Sequence, residues 1–369
     1  MDVGALRDNA AAVVGLVGAG CAVMAMVKAG GYGHGAEVAA RAFLDGGASR
    51  LGVSSAEEAL QLRAAGIDAP VLNVNWTPPE RYGAMVRSGV ELALWDPRAV
   101  PGLAAAARVA GRVVRVHLKV DTGMHRLGVD SEGLTELVAA VDAAGGAVVV
   151  AGLFTHFADA DAADLGFAEE QNRRLLAAQR RMGRAAEQSL LLHAANSAAT
   201  LRIAAARHDM VRPGIALYGY PPPHAAGIVA LRPALTLRAR ITQVRTVAAG
   251  ESVGYGRTWT ACRRTRVAVV AAGYADGVRR DQANRGAVLV RGVRCGLLGR
   301  VSMDQVSVDV SELDDLEPGE PATVFGPGSL SAAEVAEVSH TIPYEVLCNV
   351  SARVPRHAVA GGVPAAGAR

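Results

Sequence analysis

The stretch Val23-Met24-Ala25-Met26-Val27-Lys28-Ala29-Gly30-Gly31-Tyr32-Gly33-His34-Gly35 decides the reading of this chain. An apolar run of strand type ends on a lysine and passes into a glycine-rich turn, so a buried strand delivers an amine to an edge where backbone can approach a ligand closely. Lysine is scarce here: of 38 Lys and Arg together, only Lys28 and Lys119 are lysine. A chain that uses arginine for nearly every positive charge has kept lysine where an amine that can lose its proton is needed, since a guanidinium cannot serve as a nucleophile. Coding bias is the bland alternative, but neither lysine lies on an evidently solvated helix face.

Outward from that strand, residues 20 to about 220 alternate short apolar runs with longer helical patterns. Strands are predicted at 22–27, 50–54, 71–76, 90–95, 113–120, 147–155, 190–194 and 210–217, and Ala-rich amphipathic helices at 55–65, 131–144 and 165–187. Continuous apolar strands separated by helices indicate a parallel sheet covered on its outside. Eight such units make a (β/α)8 TIM-type barrel over residues 1–225 the first expectation and a doubly wound open sheet the second. Pro221-Pro222-Pro223 signals a linker. Beyond it, runs with a period of two at 235–244, 265–271, 287–290 and 305–310, with one helical stretch at 331–339, predict a mainly β C-terminal domain over 226–369, frayed at 361–369.

Composition narrows the function. The chain has 369 residues, 51% hydrophobic but only 4% aromatic, so its core is built from Ala, Val and Leu. A net charge of +3 with no basic block argues against a nucleic-acid surface and favours a small anionic partner. Cys21, Cys262, Cys295 and Cys348 form no C-x-x-C pair, which suggests neither zinc nor disulfides and a reducing cytoplasmic setting. Residues 10–27 carry no charge, the nominal length of a membrane span, but Gly15, Gly18 and Gly20 interrupt them. They read as a helix end, a turn and a buried strand, with no membrane role. Asp2 and Asp8 beside a lone Arg7 do not make a secretory signal.

Polar residues recur at the predicted C-terminal strand ends, where barrels of this kind place their chemistry. Lys28 ends the first strand; Lys119, Asp121 and Arg126 follow the fifth; His156 ends the sixth; Asn196 and Ser197 follow the seventh; Arg212 lies in the eighth. Each alone has a structural explanation: a snorkelling lysine, a core histidine, a helix cap. Together they point at one mouth. Ser197, the amides of Gly214 and Ile215, and Tyr32 in its glycine-rich turn make an anion cradle. No Walker or G-x-G-x-x-G sequence is present, and a phosphate site beside a strand-end lysine suggests pyridoxal phosphate held as a Schiff base.

These residues carry a resemblance to the bacterial alanine racemases, fold-type III pyridoxal-phosphate enzymes, over essentially the whole chain. Beside the lysine stretch stand His117-Leu118-Lys119-Val120-Asp121-Thr122-Gly123-Met124-His125-Arg126-Leu127-Gly128, His193-Ala194-Ala195-Asn196-Ser197 and Val211-Arg212-Pro213-Gly214-Ile215. Further on come Gly254-Tyr255-Gly256-Arg257-Thr258-Trp259, Gly273-Tyr274-Ala275-Asp276-Gly277, Val301-Ser302-Met303-Asp304-Gln305 and Pro343-Tyr344-Glu345. The resemblance implies interconversion of L- and D-alanine by two bases acting on a pyridoxal-phosphate aldimine, supplying D-alanine for peptidoglycan. It assigns Lys28 to the cofactor and to one face of the α-carbon, and Tyr255, from the partner subunit of a homodimer with shared active sites, to the other. A phenol is a poor base unless neighbouring charges help it, and His156 and Arg212 are implied behind it. Arg212 is also implied at the pyridine nitrogen, Arg126 and the Met303 amide at the substrate carboxylate, and Tyr32, Tyr344, Ser197, Gly214 and Ile215 at the phosphate. Lys119 is implied to be carbamylated and to hold Arg126, with Asn196 in support. Tyr274 and Tyr344 are implied to narrow the entrance to a methyl-sized side chain. Gly30 and Ser302 depart from the usual pattern: the first is expected to loosen the turn, the second to change little.

The closest competing expectation is a broad-specificity amino-acid racemase, separated only by pocket size. A decarboxylase of the same fold would want an acid at the ring nitrogen, and Arg212 opposes it. A non-catalytic pyridoxal-phosphate carrier would not need Tyr255, and a cofactor-free Schiff-base aldolase would bind no chromophore.

Overall fold

Eight parallel strands close into a barrel in chain order: β1 (Ala22–Met26), β2 (Arg50–Val53), β3 (Val71–Asn73), β4 (Glu91–Leu94), β5 (Val114–Lys119), β6 (Val148–Phe154), β7 (Leu191–His193) and β8 (Met210–Val211). The computed structural model describes residues 1–183, 190–328 and 330–360. Parallel neighbours need crossovers, and helices at Ala36–Asp45, Ala56–Ala64, Tyr82–Arg87, Val100–Ala110, Ser131–Ala143 and Gly166–Arg181 supply them. Caps fix several starts: Ser55 Oγ accepts from the Glu58 amide at 3.2 Å, and Asp130 Oδ1 from Gly133 at 2.8 Å. The open-sheet alternative is excluded by the pairing of β1 with both β2 and β8.

The eighth strand is shorter than its apolar run. β8 stops at Val211; Pro213 and Gly214 turn the chain, and Ile215–Tyr218 forms a 3-10 turn buried on every side. Tyr218 explains that burial: its ring meets Phe43 edge-on at 5.1 Å and its hydroxyl donates to the Met26 carbonyl at 3.0 Å. The helix expected over 165–187 runs as Gly166–Arg181; its 184–187 end, like the fraying expected at 361–369, lies outside the described residues.

A second compact unit gathers Met1–Ala5, Tyr32–His34 and the chain from Arg232 onward. Its strands are β9 (Leu237–Val247), β10 (Ser252–Val253), β11 (Trp259–Thr260), β12 (Thr265–Val270), β13 (Ala287–Val290), β14 (Val293–Gly296), β15 (Val306–Asp309) and β16 (Pro321–Phe325). Six form an antiparallel sheet in the order β14-β13-β16-β9-β12-β15, while β10 and β11 pair separately as a ribbon. Helices at Ala332–Val338 and Pro343–Cys348 accompany them. Among the described residues, no helix is long and apolar enough to cross a membrane.

Candidate active site

Lys28 follows β1 by two residues, half-buried, and opens a turn of unusual hand. Ala29, Gly30, Gly31 and Tyr32 all have positive φ, between 49° and 66°. L-residues pay roughly 1–2 kcal/mol each for that region and glycine pays almost nothing. Gly30 is therefore a residue the turn favours, and the expected loosening is replaced by a defined left-handed conformation. Glu58 holds this turn to the neighbouring strand end: its carboxylate accepts from the Ala29 amide at 2.6 Å and the Ser54 amide at 2.8 Å. Glu58→Ala removes both charge-assisted bonds and is expected to cost about 2 kcal/mol, read as a lower urea midpoint at unchanged slope.

Lys119 is the last residue of β5, buried, with its Nζ 5.0 Å from the Phe154 ring centre. Burial and the charges of Arg212 and Arg126 pull its amine down to about 7. Lys119, Asp121, Arg126, Thr155 and His156 line one small cavity. The loop above it is shaped by Asp121 Oδ1, which accepts from the amides of Gly123 at 2.9 Å and His125 at 3.0 Å. His156 lies two residues past β6, held neutral by burial and by the charges of Arg212, Lys119, Arg126 and Lys28.

Arg212, just past β8 and 5% exposed, joins this group. Its Nη2 donates to the carbonyls of Thr155 (2.8 Å) and Ala194 (3.0 Å) and lies 3.3 Å from His156 Nδ1; its Nη1 donates to His193 Nδ1 at 2.8 Å. Burial draws the guanidinium down to about 9, which leaves it charged at neutral pH. Next to it, Asn196 Oδ1 caps the helix Ser197–Arg202 through the Ala199 amide at 3.0 Å, so Asn196, not Ser197, is the cap. Ser197 Oγ instead accepts from the Gly214 amide at 2.8 Å and the Ala216 amide at 3.3 Å, drawing hydroxyl and backbone donors to one point beside Ile215.

The remaining predicted residues belong to the second unit. Tyr32 and Tyr344 form a ring pair 6.2 Å apart, tilted by 46°. Tyr255 sits in the turn joining β10 to β11, between Gly254 (φ 77°) and Gly256 (φ 71°), and is 72% exposed. Met303 and Tyr274 lie on adjoining loops: the Tyr274 amide donates to Ser302 at 3.0 Å, the Ala275 amide to Met303 at 3.0 Å. A Cβ on Gly273 would fall 2.3 Å from the Met303 carbonyl, so only glycine permits this approach. Arg353 clamps both loops, donating to Asp276 at 2.8 and 2.9 Å and to Asp304 at 2.7 Å. Glu58 and Arg353 stand outside every motif the sequence offers, and His193 opens one without a role of its own; the scarcity signal that marks the lysines has no counterpart for them.

An amine, a guanidinium and a hydroxyl stand at the C-terminal strand ends of a closed parallel barrel, the end where barrel enzymes carry their active sites. The profile of the alanine racemase N-terminal domain matches residues 1–222, and that of the C-terminal domain residues 234–358. This chain belongs to the alanine racemase family, whose members are pyridoxal-phosphate-dependent isomerases. It is 41% identical to an alanine racemase of Desulforamulus reducens, over 95% of this chain and 96% of that one. The crystal structure of the alanine racemase from D-cycloserine-producing Streptomyces lavendulae superposes with a TM-score of 0.89 at 39% identity, covering 98% and 96% of the two chains. That of the Bacillus anthracis enzyme with bound L-Ala-P gives 0.92 at 31% identity, covering 98% and 94%.

Proposed function

We propose that this chain is an alanine racemase that interconverts L- and D-alanine with pyridoxal 5'-phosphate, with Lys28 and Tyr255 as bases on opposite faces of the α-carbon. It acts as a cytoplasmic homodimer supplying D-alanine for peptidoglycan. Residues 1–225 form the cofactor-binding barrel, and 226–369 contribute the second base and the dimer contacts.

The observation that carries this reading is the setting of Arg212. Its bonds run to two carbonyls and two imidazoles held neutral, so a donor-only group stands at the strand ends where a carboxylate would serve a strong electron sink. The donor set fits the cofactor: a lysine amine, a serine hydroxyl whose oxygen already accepts from the Gly214 and Ala216 amides and whose proton is left to donate to a phosphate, and a guanidinium for a ring nitrogen that stays unprotonated. Lys28 would hold it covalently; Ser197, Gly214, Ile215, Tyr32 and Tyr344 would take its phosphate, and Arg212 its ring nitrogen. When bound, pyridoxal phosphate eases loss of the α-proton by spreading the developing charge over its ring.

This chain's residues do the rest. Lys28 removes or returns a proton on one face and Tyr255 on the other, backed by His156 and Arg212. Arg126 and the Met303 amide hold the substrate carboxylate, and Tyr274 and Tyr344 leave room for a methyl group. The exposure of Tyr255 (72%), Met303 (53%) and Tyr274 (45%) within one unit supports a second copy covering them.

The test is loss of optical rotation from L-alanine by purified protein with pyridoxal phosphate, with L-serine, L-lysine and L-arginine alongside. Turnover confined to alanine is expected. Comparable rates on the long substrates would make the chain a broad-specificity racemase, and a bound yellow cofactor without turnover would make it a carrier.

Lys119 gives a further prediction. Carbon dioxide adds only to a neutral amine, and an amine drawn down to about 7 is half neutral there, whereas an ordinary lysine is not until pH ~10. The initial rate at which labelled carbon dioxide enters Lys119, normalised to the dissolved gas, should therefore rise through about pH 7 and level off above it, one proton of the neutral amine passing to solvent as the carbamate forms. The resulting carbamate would be an anionic partner for Arg126. A midpoint near pH 10 would show that the amine behaves as if solvated.

A further inference from the structure

A polar chain crosses the barrel interior behind Arg212. Its far end is Glu91, the first residue of β4, whose carboxylate accepts from Arg50, from Arg115 Nε at 3.1 Å and from His117 Nε2 at 3.0 Å. His117 Nδ1 lies 2.8 Å from His193 Nε2, and His193 Nδ1 lies 2.8 Å from Arg212 Nη1. Both imidazoles are fully buried, and His193 stacks flat on Phe154 at 4.9 Å. The barrel makes room for the chain. A register shift between β5 and β6 sets Gly152 opposite His117, where a Cβ would fall 2.3 Å from the imidazole Nδ1. Any side chain at position 152 would evict that ring.

The polarity of these bonds has a single solution. An arginine side chain only donates and an ionised carboxylate only accepts. Arg212 therefore donates to Nδ1 of His193, whose proton sits on Nε2 and is donated to Nδ1 of His117. The His117 proton in turn sits on Nε2 and is donated to Glu91. Both rings are neutral, and every N–H points from the strand-end arginine toward the carboxylate. The electrostatics agree: burial and the surrounding positive charges hold His193 well below the usual imidazole range, and burial lowers His117 despite Glu91. Burial pushes Glu91 up, but the bonds from His117 and Arg50 outweigh it and hold the carboxyl below its usual range.

We propose that Glu91, His117 and His193 are positioning residues: they fix the tautomer and rotation of a neutral His193, whose Nδ1 aims the Arg212 guanidinium at the cofactor. This rests on the placement of Arg212 at the ring nitrogen argued above. Leucine at position 91 fills a similar volume without an acceptor. Arg50 would then face His117 as a donor, both ends of the chain would donate, and two neutral rings between them could not satisfy every bond. Glutamine at 91 keeps an acceptor oxygen.

The experiment labels histidine with ¹⁵N in the full-length protein loaded with pyridoxal phosphate and reads each ring's tautomer by NMR at about pH 7. The parent and Glu91→Gln should show both His117 and His193 as neutral Nε2–H rings. Glu91→Leu should lose the single tautomer in both rings and lower kcat for alanine about tenfold with KM within about twofold, the glutamine variant recovering most of the rate. An Nδ1–H or doubly protonated ring in the parent would overturn the proposal. So would unaltered tautomers and kcat in Glu91→Leu, because a residue that merely fills space predicts that result. Should Glu91→Leu fail to fold, His117→Phe breaks the chain next to His193 while filling the ring's place: loss of the single His193 tautomer with the same drop in kcat is expected, and an unaltered His193 and kcat would overturn the proposal. A protein with the expected tautomers that racemises nothing would defeat the functional reading and leave the buried chain standing.

Discussion

Lys28→Arg is expected to lower alanine racemisation at least about 1,000-fold while leaving the fold intact. Arginine keeps the positive charge and nearly the length, so the field that Lys28 adds at Lys119 and His156 persists. What disappears is an amine able to bond to a carbonyl carbon and to exchange a proton near neutral pH. The turn that follows is set by the backbone of residues 29–32 and the carboxylate of Glu58, none of which the substitution touches. Rates of D-alanine formation, together with borohydride reduction and peptide mass analysis, check the assignment: the parent should carry the reduced cofactor on the Lys28 peptide. The only other lysine is Lys119, so label appearing there would overturn the role given to Lys28.

Tyr255→Phe should lower racemisation by roughly 100- to 10,000-fold, the range expected when one of two proton-transfer groups is lost. The result should be lopsided. One enantiomer of alanine should still exchange its α-hydrogen with deuterium from solvent through Lys28, while conversion to the other nearly stops. Tyr255 lies in a ribbon turn shaped by Gly254 and Gly256, so removing its hydroxyl should leave the conformation of that turn unchanged. Equal losses of exchange and conversion for both enantiomers would argue against a base on each face.

Much of the barrel was legible because its strands are buried on both sides and read as unbroken apolar runs. The same property misled at residues 210–217, where a buried 3-10 turn is as apolar as a strand and Pro213 was the signal to stop. In the second unit, β10 and β11 are two residues long, too short to show any period. β16 opens on a proline, and Pro343–Cys348 spans less than two helical turns, so neither presents a full pattern. At the site, scarcity singled out the two lysines, and family motifs carried most of the rest. Glu91, His117 and His193 were harder to see, because a buried charge or imidazole within an apolar run resembles an ordinary interruption until its partners from other strands are known. Arg353 lies far along the chain from Asp276 and Asp304, and only the folded loops bring the three together.

The turn after Lys28 has a stereochemical consequence. From Ala29 to Tyr32 the backbone occupies the mirror image of the ordinary right-handed helix, the region in which D-residues rest without strain. A semisynthetic chain carrying D-alanine at position 29 would lose the L-residue's conformational penalty there, roughly 1–2 kcal/mol, where any ordinary helical site would punish the same inversion. The backbone beside the lysine thus favours, at position 29, the hand that an ordinary helical site rejects.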